Sequence, residues 1–451
     1  MDTLSRPSMG LGLSKSNFRI TIDIFGSEPD SEYLYLSGDR IDGCANISVT
    51  KSTMFDKVEI LLQVNICTSR SLASRTAYHS DTGARQTFLT LRDSTDGSDN
   101  STARVMESNS TYRFPFTFVV PHQLLPQTCV HAKKSLQVER AHLIPPPSLG
   151  DLKMFDKAKH KLDDMAPEMS RIGYMIHARV LQKSISNFSS DILADYAKAI
   201  RIMPITPDDE LFVEASQGLP EYRQTSRMVR NHLMTRKDSQ LTASVSKYLL
   251  VELQPSSLSP RRPSGTVIHV NLKYSTSTGG NDSENPPQIE SVKIKLRAHT
   301  FYGIAPNQDF PNYWDYKSLR EAGGDMFTAK VPITTLKMSK IQWEKKSSTC
   351  TTENESPRVP ESLSTQTGDT EGSAGIAHFT SSLEIPLMLP VAKFIVPTFH
   401  SCLISRTYSV KLNLSYRKAA KRNFLHTFSL CIPVTVKACP RYVSSMRSNS
   451  T

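Results

Sequence analysis

At 451 residues the chain is too long for one ordinary hydrophobic core and suits two units of roughly 150–200 residues each. Its apolar share of 38% lies below the usual globular share of about 45–50%, so part of the chain is expected to stay outside any core. The net charge of +11 favours an anionic partner, but no recognition-helix pattern, Cys/His finger spacing or basic strand interleaved with aromatics is present, which argues against nucleic acid.

In chain order, strand signals come in two blocks with little helical periodicity. That pattern predicts β-sandwiches rather than βαβ units. The first block runs from about residue 17 to residue 180. Phe114, Phe116 and Phe118 alternate with Pro115 and Thr117, so a strand there puts the three rings on one face, the inner face of a sandwich. A polar insert at 69–111, rich in Ser, Thr, Asp, Asn and Arg, is expected to be disordered. The Ala-containing run 192–200 predicts a short helix that Pro204 and Pro207 end.

An irregular basic connector is expected over 201–240, with Arg223, Arg227, Arg230, Arg236 and Lys237. The second block, 241–438, has strand-like runs at 241–253, 266–274, 292–301, 327–332, 379–390, 407–416 and 424–436, with a second disordered insert at 347–375. Its clearest element holds strict period two: Tyr408, Val410, Leu412, Leu414 and Tyr416 against Ser409, Lys411, Asn413 and Ser415. Pro386, Pro390 and Pro397 belong at strand starts, bulges or edges, because proline cannot donate to a ladder.

Ile385-Pro386, the run from Val396 through Pro397, Phe399 and His400 to Cys402, and the Tyr408 strand resemble the C-terminal domain of fungal arrestin-like proteins, the α-arrestins. The runs 18–25, 33–36, 39–49, 55–64, 112–126, 142–150 and 172–180 are similar, in the same order, to the N-terminal domain of that family. The resemblance implies two tandem arrestin-like antiparallel β-sandwich domains, 17–200 and 241–438. It also implies an adaptor that recognises cytosolic tails of membrane transporters or receptors and links them to ubiquitination and endocytic trafficking. A sorting scaffold of the retromer-associated type, with the same fold and no ligase, is the alternative.

No GxSxG, GxxxxGK[ST], HExxH or GxGxxG motif is present, so no enzyme and no cofactor are expected. Cys129-x-His131 and His400-x-Cys402 are the close Cys/His pairs. On strands each pair would share a face and the four could meet around zinc. With the pairs so far apart in sequence, Cys402 reads as core, His400 as a strand-end residue, and no metal is expected. Seven scattered cysteines without a CxxC, and no long apolar run, predict a reducing, cytoplasmic setting with membranes touched only peripherally, and the resemblance implies that this contact is at the plasma membrane or endosome.

Members of the resembled family engage WW domains of HECT-type ubiquitin ligases through L/PPxY motifs. WW domains read extended proline segments because polyproline II is already ordered. This chain has no PPxY; Leu219, Pro220 and Tyr222 form an LPxY candidate, and Pro440 and Tyr442 a secondary PxY candidate. The 27 prolines and 15 tyrosines make about one PxY match expected by chance, so composition alone does not single out either segment. Finally, Arg417, Lys418, Lys421 and Arg422 fall between two strands and predict a basic hairpin tip able to touch anionic lipid or phosphate.

Overall fold

The computed structural model describes residues 17–26, 33–70, 82–93, 104–150, 163–183, 190–205, 223–231, 236–245, 249–253, 264–276, 285–311, 316–347, 377–418 and 421–440. These residues are about 66% strand and 5% helix, an all-β fold of antiparallel sandwiches.

In the first sandwich, β1 (Phe18–Ile24), β3 (Arg40–Val49) and β8 (Ser110–Val119) make one sheet in the order β1-β3-β8. The other runs β2 (Leu34–Leu36), β10 (Ser190–Met203), β9 (Ser170–Lys183), β5 (Lys57–Arg70), β6 (Thr82–Arg92), and β4 (Thr53–Phe55) pairs β7 (Arg104–Met106) in a ribbon. Period-two alternation turns Ile41, Ala45, Ile47 and Val49 of β3 inward, against Ile60, Leu62 and Val64 of β5 and Ile172, Tyr174 and Ile176 of β9. Phe116 and Phe118 are buried there and Phe114 packs at the margin, so the phenylalanine stripe faces the core as expected. Opposite Phe116 stands Gly43: a Cβ at that position would lie 2.3 Å from the ring and 2.5 Å from the Asp23 carbonyl oxygen, so only glycine admits the ring.

The second sandwich pairs the sheet β11 (Arg223–Asn231), β12 (Arg236–Ser244), β14 (Gly265–Thr276), β18 (Ala377–Met388), β17 (Glu344–Ser347) with the sheet β13 (Leu249–Leu253), β21 (Lys421–Ala438), β20 (Ile404–Lys418), β15 (Gln288–Gly303), β16 (Gly324–Lys337). A two-residue strand, β19 (Phe399–His400), joins β20. Tyr408, Val410, Leu412 and Leu414 all face its core, as the alternation predicts. Two edges are parallel rather than antiparallel: β2 beside β10 and β13 beside β21, each a short strand laid along the last strand of its sandwich.

Prolines inside strands sit where one margin of the strand is open. Pro115 lies in edge strand β8 and Pro332 in edge strand β16, opposite a register shift. Pro386 pairs only with Val267, since β17 covers β18 no further than Thr380, and Pro433 lies one residue before β13 begins to pair with β21. Each position spares the missing N–H from a ladder that would need it.

The two sandwiches touch. Tyr302, Val396, Phe399, Cys402, Leu403 and Ile404, from the second half, are buried in the first core. The Thr68 hydroxyl donates to the Gly303 carbonyl at 2.8 Å and the Lys134 N–H to the Gln308 carbonyl at 2.9 Å. From the other direction Met165 enters the second core, flanked by the Asp163 carbonyl accepting from Phe394 N–H at 3.0 Å and the Asp164 carbonyl accepting from Arg406 at 3.0 Å.

Three expectations are corrected. Residues 192–200 belong to strand β10, not a helix: all of them but Leu193, where the register shifts, pair with β9, and that ladder overrides an ambiguous local propensity. The insert 69–111 is not disordered throughout, because β6 pairs with β5 over Thr82–Arg92, β7 forms at Arg104–Met106 and β8 begins at Ser110. The connector 201–240 is not irregular throughout either: β10 runs to Met203, and β11 and β12 form a hairpin that continues a sheet of the second sandwich. The insert 347–375 lies, after Ser347, outside the described residues.

Candidate functional site

Where the sandwiches meet, four side chains able to ligate a metal converge. Beyond β19 a tight turn, in which the Ser401 N–H and hydroxyl both donate to the Ile404 carbonyl at 3.0 and 2.7 Å, places Cys402 in the first core. Facing it, a 3₁₀ turn at Pro126–Thr128 delivers Cys129. Next comes α1 (Leu136–His142), whose N-cap Ser135 hydroxyl accepts from Val138 N–H at 3.3 Å. Its Val138, Ala141 and His142 share one buried face at i, i+3, i+4 spacing, which turns His142 inward.

The Cys129 sulfur lies 3.3 Å from the Cys402 sulfur, 3.2 Å from His131 Nε2 and 3.6 Å from His142 Nδ1. All four ligand atoms fall within 4.8 Å of one another. His131 Nδ1 is 2.9 Å from the Ala132 carbonyl, a contact in which the ring must donate, so Nε2 keeps its lone pair toward the sulfurs. The Lys133 ammonium donates to the Cys129 carbonyl and braces the loop.

Burial, and after it the repulsion that His131 and Lys133 exert on a second cation, pulls His142 down to about 4, which leaves a neutral ring at neutral pH. Burial and then the adjoining Cys129 push the Cys402 thiol up to about 12, so that sulfur stays protonated unless a cation inverts the preference. Ile66, Phe88, Leu124 and Thr128 line a crevice beside the two cysteines.

The structure thus brings together Cys129, His131 and Cys402, which the sequence reading kept apart, while Cys402 is core and His400 ends β19, as expected. His400 does not join them: its ring meets Phe310 edge-on at 4.7 Å, and burial drops it to about 3. The fourth member, His142, had no sequence signal except its place on the inward face of a short helix.

Of the other candidates, Arg417 is exposed at the end of β20 and its Nε lies 3.2 Å from Glu290 Oε1. The strands β20 and β21 pair as far as Lys418 and Lys421, with Phe424 64% and Leu425 55% exposed near that end. The side chains of Lys418, Lys421 and Arg422 lie outside the described residues, as do Leu219, Pro220, Tyr222 and Tyr442. Pro440 is exposed just past β21. No helix among the described residues is long and apolar enough to cross a membrane.

The all-β fold of sandwich type, taken with the family match that follows, supports an arrestin-like protein. Residues 319–439 match the family model described as Bul1 C terminus, an arrestin-like C-terminal domain family of fungal adaptors. The matched segment spans β16 to β21 and includes Cys402, Arg406 and the basic tip. No curated protein matches the chain.

Proposed function

We propose that this chain is a non-enzymatic, cytoplasmic adaptor that recognises cytosolic tails of membrane transporters or receptors and links them to ubiquitination and endocytic trafficking. The observation that carries the reading is the match of 319–439 to Bul1 C terminus, which points to an adaptor of the ubiquitin ligase pathway. Binding without catalysis suits what the sandwiches offer. An open sheet edge such as β6 can accept an extended tail by backbone hydrogen bonds, and basic loops can hold phosphates.

In this reading Leu219, Pro220 and Tyr222 recruit the WW domain of a HECT-type ligase, Pro220 packing between aromatic rings and Tyr222 filling the adjacent pocket. A peptide covering 214–228 is then expected to bind an isolated WW domain with micromolar affinity, about −8 kcal/mol. In the whole protein, Tyr222→Ala should abolish ligase co-purification while leaving the melting temperature in place. Absence of binding at high micromolar peptide, with Pro440 and Tyr442 equally silent, would move the ligase-free sorting scaffold ahead.

The basic tip serves peripheral attachment to anionic lipid, with exposed Phe424 and Leu425 beside it to enter the headgroup region. Each basic residue near such a surface contributes about 1 kcal/mol. Replacing Arg417, Lys418, Lys421 and Arg422 with Ala should weaken binding to phosphatidylserine vesicles and flatten its salt dependence, with thermal stability nearly unchanged. Equal binding by wild type and mutant would return the tip to a solvated loop.

A further inference from the structure

We propose that Cys129, His131, His142 and Cys402 hold one zinc ion in a closed tetrahedral site that clasps the two sandwiches together. The metal follows from the donor set, since two thiolates with two imidazoles in a tetrahedron select zinc. The distances fit it as well. With Zn–S about 2.3 Å and Zn–N about 2.0–2.1 Å, the edges of a tetrahedron are about 3.3–3.8 Å long. The three contacts made by the Cys129 sulfur are 3.2, 3.3 and 3.6 Å, and the remaining pairs stay within 4.8 Å.

The second shell is in place: His131 spends Nδ1 on the Ala132 carbonyl, which fixes the tautomer that presents Nε2 to a metal. Four protein ligands leave no open position, so the ion is structural and not catalytic. Binding converts two thiols to thiolates and releases their two protons. Three ligands come from one stretch of the first half, and Cys402 comes from a turn 273 residues after Cys129. The ion therefore cross-links the seam. This goes beyond the adaptor reading and stands independently of it.

A disulfide between Cys129 and Cys402 is the competing chemistry. It would require the sulfurs to close from 3.3 Å to about 2.05 Å and gives the two converging imidazoles nothing to do.

The test uses the full chain purified without chelator, with zinc measured by elemental mass spectrometry. About one zinc per chain is expected. Cys129→Ser and Cys402→Ser should fall to background, while Cys431→Ser, altering a cysteine outside the cluster, should keep its metal. Should the buried cysteine variants fail to fold, His131→Asn replaces the least buried ligand and should weaken zinc binding at least about tenfold, given that loss of an outer-shell partner alone costs about 10–100-fold.

Chelation of the wild type followed by cobalt(II) should give the visible bands of a tetrahedral thiolate site. The same chelation should lower the melting temperature reversibly in wild type and leave His131→Asn less affected. Zinc in wild type no higher than in Cys129→Ser or His131→Asn would overturn the proposal, as would a Cys129–Cys402 disulfide peptide in protein prepared under reducing conditions.

Discussion

Arg406→Ala is expected to lower the unfolding free energy by about 3–5 kcal/mol, and Arg406→Met to change it by less than about 1 kcal/mol. Arg406 is fully buried at the seam, with its guanidinium 5.9 Å from the Tyr408 ring centre. Among the described residues, Nη1 donates to the Asp164 carbonyl at 3.0 Å and Nε and Nη2 have no hydrogen-bond partner. Of the two acids beside it, Asp164 is buried and its carboxylate accepts from the Gly150 and Ala166 N–H groups, and Asp163 is held below the ordinary carboxylate range, against its own burial, by Lys393 first and by the Met165 N–H and Arg406 after it. A charge placed in this way adds little net stability, because its desolvation is offset by one neutral acceptor and a diffuse field. What Arg406 supplies is volume between two cores. Ala would empty that volume and Met would nearly refill it. Urea midpoints for the three proteins would decide the matter. Equal damage from Met and Ala would mean that the seam depends on the charge.

The second large effect is on pH dependence. His299 sits in β15, with Nδ1 2.9 Å from the Thr328 hydroxyl and Nε2 2.8 Å from the Ser409 hydroxyl. Burial, then Arg297 and Arg406, pulls it down to about 4 from an ordinary 6.5. Above pH 6.5 the ring is neutral in both states and contributes no slope. Between pH 6.5 and about 4 the unfolded chain takes up the proton and the native state does not, so stability falls with pH by about 1.4 kcal/mol per unit, or about 3 kcal/mol in all. His299→Gln can keep a hydrogen bond to both hydroxyls and cannot titrate. Its stability between pH 7 and 4.5 should be shallower than that of wild type by that slope, measured by urea unfolding. Parallel profiles would show that His299 protonates in place.

The fold was legible where one face of a strand is buried and the other wet. The run from Tyr408 to Tyr416 alternates because β20 lies between β15 and β21 with one face on the core. It was illegible where a strand buries little. Thr82–Arg92 hides only Phe88 fully, and most of β10 has β9 as its sole partner, because β2 covers no more than Arg201–Met203. Such strands are held by backbone ladders, which composition does not report. The Cys/His cluster was half legible. Cys129, His131 and Cys402 could be picked out by residue type, but their convergence depends on a turn after β19 and on the inward face of α1, and both are consequences of tertiary packing.

The prolines at open strand margins bear on how this molecule lives among its own copies. A protein built from long β-strands carries many unpaired backbone rims, and each is a template on which a neighbouring copy could extend the sheet. At Pro115, Pro332, Pro386 and Pro433 the rim lacks a donor just where a foreign strand would need one, so a growing stack is interrupted before it can propagate. The outer margin of β6 has no proline along Thr82–Arg92 and keeps all its donors. Crowding by identical chains is thereby discouraged on four rims, and a single extended visitor still has a place to lie down.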